Sequence, residues 1–186
     1  MTTHANPDGI NFIIRPLKEG ERITTFDCGD DDLNDFILNS SGLYKDELLA
    51  VTYLVQDRDD GHLLAYFSLA NDRISLTDFE SKTEFNRFRK RRFVNEKRLK
   101  SYPAVKIGRL GVSTNARHLR LGTRILDFIK VLFTQNNRTG CRFLTVDAYI
   151  AALPFYLKND FIELTANDKE DPHTRLLYYD LKMNKP

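Results

Sequence analysis

The sequence lacks the spacings on which most metal sites and disulfide frameworks depend. Among its 186 residues there are only two cysteines, Cys28 and Cys141, and they form no C-x-x-C pair. The four histidines show no H-x-x-x-H or similar spacing. Because metal ligands recur at such short intervals, the sequence predicts no metal site and favours two ordinary thiols over a bridge.

Long apolar runs are also missing. No run approaches the roughly 20 residues of a membrane span, and residues 1–9 lack the charged and apolar parts of a signal peptide. With 41% hydrophobic and 29% charged residues, 9 Gly and 6 Pro, the composition excludes collagen, coiled coils and disorder. We therefore expect a cytoplasmic protein with no membrane partner, folded as a single domain over residues 1–186.

Positive charge is concentrated in residues 82–100. Nine basic and two acidic residues give this stretch a net charge of +7, so the rest of the chain carries −5. RNA or a polyphosphate cofactor would be attracted to it, and the alternative is a solvated basic helix. A helix would not present all of the candidate phosphate contacts on one face. These candidates are Arg87, Arg89, Lys90, Arg91 and Arg92.

Strand and helix signals alternate along the chain. Asp59-Asp60-Gly61 indicates a hairpin, so the strands beside it should pair in antiparallel fashion. The strand-helix-strand pattern of residues 104–148 implies a parallel pair. Pro16 should end the first strand, Tyr102-Pro103 the basic helix and Gly140 the next helix. The predicted strands cover residues 10–17, 49–56, 63–74, 104–112, 143–148, 161–164 and 175–181. The predicted helices follow Asp30 or Asp31, cover residues 43–48, 78–100 and 151–159, and include one with an apolar stripe from Leu121 to Phe133. This order predicts an α/β fold, a single-domain mixed sheet of about six to seven strands with flanking helices.

The turn before Gly122 lies where a strand leads into a helix. The unpaired N–H groups and positive dipole end of a helix attract phosphate there. Residues 117–123 read RHLRLGT, which is neither G-x-G-x-x-G nor a Walker loop, so the Rossmann and P-loop interpretations are excluded.

This turn resembles the pyrophosphate loop of the GCN5-related N-acetyltransferases (GNAT superfamily). In that loop Gln or Arg, two residues, Gly, one residue and Gly or Ala open the helix that binds coenzyme A. Arg117 and Gly122 match, and Arg120 stands in the place of the first Gly, where its side chain could hold a phosphate. The resemblance implies acetyl-CoA as cosubstrate. The cofactor-binding residues it implies are Leu110, Gly111, Val112, Arg117, His118, Leu119, Arg120, Leu121, Gly122 and Thr123.

The C-terminal part of the chain follows the same family. Residues 152–156 (ALPFY) match its Ala-x-x-Phe-Tyr pattern, Asp160-Phe161 replaces the usual Gly-Phe, and Tyr149 replaces an Asn. The resemblance spans residues 10–181 and implies the GNAT fold, with Tyr156 as the catalytic acid that protonates the departing thiolate. A phenol pKa of about 10 against about 8.5 for a thiol makes that transfer uphill by only about 2 kcal/mol. The alternative is a Tyr that only packs.

A narrower resemblance lies in residues 26–29 (FDCG), 33–38 (LNDFIL), 108–112 (GRLGV) and 146–148 (VDA). These motifs are similar to the acetyltransferase toxins of bacterial toxin–antitoxin pairs, which acetylate the amino group of aminoacyl-tRNA. The resemblance implies charged tRNA as acceptor, and an antitoxin and a second copy of the chain as candidate partners. Arg109 is either a substrate contact or part of a structural ion pair.

A general base is not evident, because residues 108–112 contain no Glu. Asp147 is a candidate, and a buried Asp that caps backbone is the alternative. The absence of Glu favours an α-amine, with a pKa of about 7.7–8.0, over a lysine at about 10.4. We therefore predict an acetyl-CoA-dependent N-acetyltransferase acting on aminoacyl-tRNA, or else on a peptide or small-molecule amine. The competing class is a non-enzymatic RNA-binding module on a degenerate acetyltransferase scaffold.

Overall fold

The computed structural model describes residues 11–135, 139–165 and 171–184. Seven strands form one sheet in the order β1-β2-β3-β4-β5-β7-β6. The strands are β1 (Phe12–Pro16), β2 (Val51–Asp57), β3 (Leu63–Ser75), β4 (Ser101–Val112), β5 (Phe143–Tyr149), β6 (Ile162–Glu163) and β7 (Thr174–Asp180). The helices are α1 (Asp31–Asp35), α2 (Ser41–Asp46), α3 (Lys82–Arg92), α4 (Leu121–Leu132) and α5 (Leu153–Lys158). The predicted mixed sheet with flanking helices is confirmed.

The strand directions also agree with the sequence patterns. β2 and β3 pair in antiparallel fashion across the predicted hairpin, and β4 pairs with β5 in parallel. The parallel register covers Ala104–Lys106 opposite Phe143–Thr145. Both strands continue past it, β4 to Val112 and β5 to Tyr149.

The chain divides into two compact units, each built from two stretches: Met1–Ala70 with Ile107–Phe128, and Asn71–Lys106 with Ile129–Pro186. The prediction of one domain over residues 1–186 stays a prediction.

The core of the first unit lies beneath α1 and α2. Asp30 caps α1 by accepting a hydrogen bond from Leu33 N at 2.9 Å. A π-helical turn, Phe36–Ser40, joins α1 to α2 and buries both Phe36 and Ile37. Tyr66 packs against Phe36 in the same cluster, and its hydroxyl donates to Leu33 O at 2.6 Å.

The core of the second unit is aromatic. Phe85 and Phe88 of α3 belong to a cluster with Phe79, Phe143 and Tyr178. α3 begins after Ser81, whose Oγ accepts a hydrogen bond from Glu84 N at 3.2 Å. The burial of its phenylalanines fixes which face of the basic helix points outward.

Two predicted boundaries are wrong around this core. The basic helix ends at Arg92 instead of continuing to residue 100, because Phe93 leaves it in an extended conformation and stacks on Tyr102 with ring centroids 4.1 Å apart. Tyr102 and Pro103 do not break a helix and lie inside β4. The Pro103 carbonyl accepts a hydrogen bond from Arg142 N at 2.9 Å.

Smaller differences concern the ends of elements. α4 ends at Leu132, well before Gly140. β1 ends at Pro16, as predicted, so Leu17 lies outside the strand, and residue 10 lies outside the described residues.

Candidate functional site

The turn between β4 and α4 has the geometry that the loop pattern requires. Residues Thr114–Leu119 form a 3-10 turn, and Arg120 follows with φ 51° and ψ 32°. This left-handed conformation is uncommon for any residue other than glycine. The position where the family has glycine therefore requires a backbone that suits glycine, and here an exposed arginine adopts it.

α4 presents its first turn immediately after Arg120. Leu121 anchors this turn in the core with 1% of its surface exposed, and Ile125 and Ile129 continue the buried stripe. The N–H groups at the start of a helix have no partner within the helix. Those of Leu121, Gly122 and Thr123 can therefore bind an anion such as a pyrophosphate.

The side chain of Arg117 holds the loop in place. Its Nη2 donates to the carbonyl of Cys28 at 2.6 Å, and Thr114 N donates to the Asp27 carbonyl at 3.0 Å. Gly29 has φ +78°, and a Cβ at this position would lie 2.9 Å from Arg117 Nη2. The motif at residues 26–29 thus holds the turn in place, and the assignment of Arg117 to the cofactor stays a prediction.

The end of β4 has a backbone that neighbouring rings approach closely. A Cβ at Gly111 would lie 2.8 Å from a ring atom of Tyr66 and 3.3 Å from one of Phe26. Leu110 and Val112 are half-buried. Glycine at position 111 thus lets the strand lie against these two rings.

Arg109, on the same strand, has an exposed side chain. Its Nη1 donates to the Gly108 carbonyl at 2.8 Å, and its guanidinium lies 5.3 Å from the centre of the Phe36 ring. Within the described residues Arg109 thus makes a cation–π contact and not the predicted structural ion pair. The alternative prediction, a contact with the substrate, stays a prediction.

Tyr156 lies on α5, whose first turn contains Pro154 as the sequence predicted. Only 6% of its surface is exposed, and its ring makes edge contacts with Phe155 and Phe161 at centroid distances of 5.0 Å and 5.4 Å. Burial raises the pKa of this phenol above its ordinary value. The hydroxyl is therefore protonated at neutral pH and is available as a donor, although it is a weaker acid than free phenol.

Asp147 is neither buried nor a backbone cap. It lies exposed on β5 and forms an ion pair with Lys106. The alternative of a buried capping Asp is therefore wrong, and a role as general base stays a prediction.

The basic helix has two different faces. Arg92 Nη2 donates to the Tyr178 hydroxyl, and its guanidinium lies 4.2 Å from the centre of the Phe88 ring. Arg89 Nη1 donates to the carbonyls of residues 98 and 99, at 3.3 Å each. Both guanidinium groups therefore make contacts within the fold, which weakens the case for them as phosphate contacts.

The three remaining basic candidates, Arg87, Lys90 and Arg91, are exposed. They lie at i, i+3 and i+4 of α3, so they share one side of the helix. We refer to these three residues as the basic face.

Lys130 is a buried residue that the sequence analysis missed. It has 5% of its surface exposed, its Nζ donates to the carbonyl of Asn159 at 3.2 Å, and it lies 4.4 Å from the centre of the Tyr179 ring. Its spacing of four residues from Leu126 places it in the apolar stripe of α4, a signal that the sequence contained.

Among the residues that the structure describes, no group of three or more His, Cys, Asp or Glu side chains could hold a metal ion. No helix in the described ranges has both the length and the apolar character needed to cross a bilayer.

The fold that these elements define is the GNAT fold, and solved structures with the same architecture include those of KacT and AtaT. A tyrosine-to-phenylalanine mutant of KacT has a TM-score of 0.73 and 23% identity, covering 92% of this chain and 96% of its own. AtaT complexed with acetyl-methionyl-tRNAfMet has a TM-score of 0.72 and 20% identity, covering 94% and 97%. A tyrosine-to-phenylalanine mutant of the AtaT toxin, bound to the C-terminus of the antitoxin AtaR and acetyl-CoA, has a TM-score of 0.70 and 19% identity, covering 92% and 94%.

No protein-family model and no curated protein matches the chain. At these identities the likeness to solved structures shows the fold. The predicted GNAT fold is therefore confirmed over nearly the whole chain.

Proposed function

We propose that the protein is an acetyl-CoA-dependent N-acetyltransferase. The observation that carries this proposal is the turn from β4 into α4, with its left-handed residue at position 120 and the helix N-terminus that follows. A neighbour with the same fold, AtaT, is bound to acetyl-CoA. These features support a pyrophosphate site formed by the first turn of α4 and the exposed Arg120 side chain.

The other residues have complementary roles in the proposed reaction. Acetyl-CoA supplies a thioester whose carbonyl carbon the acceptor amine attacks directly. The backbone of residues 110–112 hydrogen-bonds the pantetheine arm and orients it. Tyr156 donates its proton to the thiolate as the C–S bond breaks, and the amine releases a proton to solvent as the amide forms. Because burial raises the pKa of Tyr156, we expect the donation to be concerted with thiolate departure.

We propose the α-amino group of aminoacyl-tRNA as the acceptor. AtaT is complexed with acetyl-methionyl-tRNAfMet, and the basic face on α3 has the charge and spacing to contact RNA phosphates. Residues 108–112 contain no Glu that could act as a general base. This absence favours an acceptor amine that is already substantially neutral at physiological pH. A cytoplasmic location accords with such a substrate.

An antitoxin is proposed as a protein partner on the strength of AtaT, which is bound to the C-terminus of AtaR. A homodimer stays a prediction.

Thiol release from acetyl-CoA tests the function, with charged tRNA, peptides and polyamines offered separately as acceptors. We expect turnover with charged tRNA, and we expect Tyr156→Phe to lower kcat by roughly 100-fold with unchanged affinity for acetyl-CoA. Tyr44→Phe, on α2, is the matched control and should behave as the unmodified protein.

Two other outcomes are informative. Turnover with peptides alone would show that the acceptor is a peptide amine and not aminoacyl-tRNA. Binding of tRNA without thiol release from acetyl-CoA, whichever acceptor is offered, would favour the RNA-binding module on a degenerate scaffold. The reasons for that alternative are Arg120 in the place of a glycine and the absence of Glu from residues 108–112.

A further inference from the structure

An ammonium group buried in the second unit is not explained by packing. Lys130 has 5% of its surface exposed, and lysine is almost never buried to this extent unless it is paired. A leucine or methionine would fill the stripe of α4 without desolvation of a charge. The contacts of the Lys130 ammonium therefore indicate a role other than filling the core.

The first contact reaches the turn that follows Tyr156. Asn159 ends α5, and its carbonyl accepts the hydrogen bond from Lys130 Nζ at 3.2 Å. Asn159 N donates to the Tyr156 carbonyl at 3.0 Å, and Asn159 Nδ2 donates to the Phe155 carbonyl at 2.7 Å. The ammonium thus holds a turn that is itself bonded to the backbone of Tyr156.

The second contact reaches the ring of Tyr156 through two aromatic neighbours. Lys130 Nζ lies 4.4 Å from the centre of the Tyr179 ring. Tyr179 packs on Phe161 at 5.6 Å, and Phe161 packs on Tyr156 at 5.4 Å. Tyr179, Phe161 and Tyr156 are all buried, so displacement of one ring is felt by the next.

We propose that Lys130 is a positioning residue for Tyr156. Its ammonium fixes both the turn at Asn159 and the packed rings of Tyr179 and Phe161, so that the phenol hydroxyl is held in one orientation. The role in catalysis rests on the proposed function, whereas the link between Lys130 and the orientation of Tyr156 does not.

A double-mutant cycle separates positioning from a general loss of structure. Lys130→Met is expected to lower kcat about tenfold with unchanged affinity for acetyl-CoA, because a misplaced donor loses rate and not binding. In the Tyr156→Phe background the same substitution should change kcat by less than about twofold, since no proton donor is left to position. Lys182→Met, an exposed lysine of the same unit, is the control and should have no effect. An equal loss of kcat in both backgrounds would overturn the proposal.

A spectroscopic arm works even if no acceptor is turned over. Tyrosine labelled with 13C at Cζ gives a resonance for Tyr156, identified by its disappearance in Tyr156→Phe. We expect Lys130→Met to shift or broaden this resonance and Lys182→Met to leave it in place; a Tyr156 signal unchanged by Lys130→Met would contradict the proposal. Should the methionine variant fail to fold, Lys130→Gln is measured in the same way, with the same two outcomes.

Discussion

Arg120 combines a left-handed backbone with an exposed guanidinium. Such a conformation costs roughly 1–2 kcal/mol for a residue with a Cβ. We therefore expect Arg120→Gly to raise the free energy of unfolding by about 1 kcal/mol and to weaken acetyl-CoA binding roughly threefold to tenfold, because a charged phosphate contact is lost. Chemical denaturation and titration calorimetry measure the two effects.

Arg120→Ala is the matched control for this prediction. It removes the guanidinium but keeps the Cβ, so it should weaken acetyl-CoA binding without the gain in stability. Tighter acetyl-CoA binding by Arg120→Gly than by the unmodified protein would show instead that close approach of the backbone matters more than the side chain.

Glu21 is a second residue whose charge has a measurable consequence. It accepts two hydrogen bonds from Arg15, at 2.8 Å and 2.5 Å, and the pKa of its carboxyl is lowered to about 2, chiefly by these bonds. A lowered pKa in the folded state stabilises the protein above the unfolded pKa of about 4.3. This stabilisation disappears as the pH falls from about 4.3 to 2.

The free energy of unfolding should change less with pH in Glu21→Gln than in the unmodified protein. We expect the difference between pH 2 and about pH 4.3 to be smaller by about 1 kcal/mol, after allowance for the partial exposure of the carboxyl. Urea denaturation at pH 2, 3, 4 and 6 measures it. The exposed neighbour Glu19, changed to Gln, should keep the slope of the unmodified protein. Identical slopes for both variants would contradict the role of the Arg15 pair.

The exposed face and the inner face of α3 lead to different predictions. Replacement of the basic face by glutamine, at Arg87, Lys90 and Arg91 together, should make the log–log slope of tRNA binding against salt less steep by about 2, as three phosphate contacts imply. Stability should not change, because these side chains are exposed. Filter binding at several salt concentrations is the measurement.

Arg92→Gln is the counterpart on the inner face. Loss of its contacts with Tyr178 and Phe88 should lower the free energy of unfolding by about 1–3 kcal/mol and leave the salt slope nearly unchanged. If the triple variant binds tRNA as before at every salt concentration, the RNA contacts another surface or is not the acceptor.

Local patterns predicted the elements whose signals are local. The hairpin between β2 and β3 and the apolar stripe of α4 follow from turn residues and from periodicity. The chain near Phe93 could not be predicted in this way, because its helix ends where the Phe93 ring stacks on Tyr102, and the periodicity of apolar residues does not reveal such a packing contact.

The candidate site shows the same division. Position 120 was found because the loop pattern is contiguous, although its left-handed backbone was not foreseen. The hydrogen bond from Arg117 to the Cys28 carbonyl connects residues far apart in sequence, so the loop motif could not predict it. Arg89 and Arg92 were assigned to RNA for a similar reason, since charge alone does not reveal which face of a helix is buried.

For the molecule as a whole, ligand binding should appear as stability. Acetyl-CoA at 100 times its Kd should add about 2.7 kcal/mol to the free energy of unfolding, which for a chain of this length corresponds to a rise in Tm of roughly 5–10 °C. Differential scanning fluorimetry measures it, with pantetheine, which lacks the pyrophosphate, as the control. An unchanged Tm in a monodisperse sample would contradict the cofactor assignment.

The two compact units also constrain how the chain can fold as it is made. The first unit needs residues 107–128 in addition to its N-terminal stretch, and the second draws on residues from 71 to the C-terminal end. A ribosome adding about 5–20 residues per second must therefore pass residue 128 before the first unit has all of its parts. Residues 71–106 are made before residues 129 onward, with which they form the second unit. Such long-range closure slows folding, and a nascent chain that ends before residue 128 should be a substrate for chaperones and proteases.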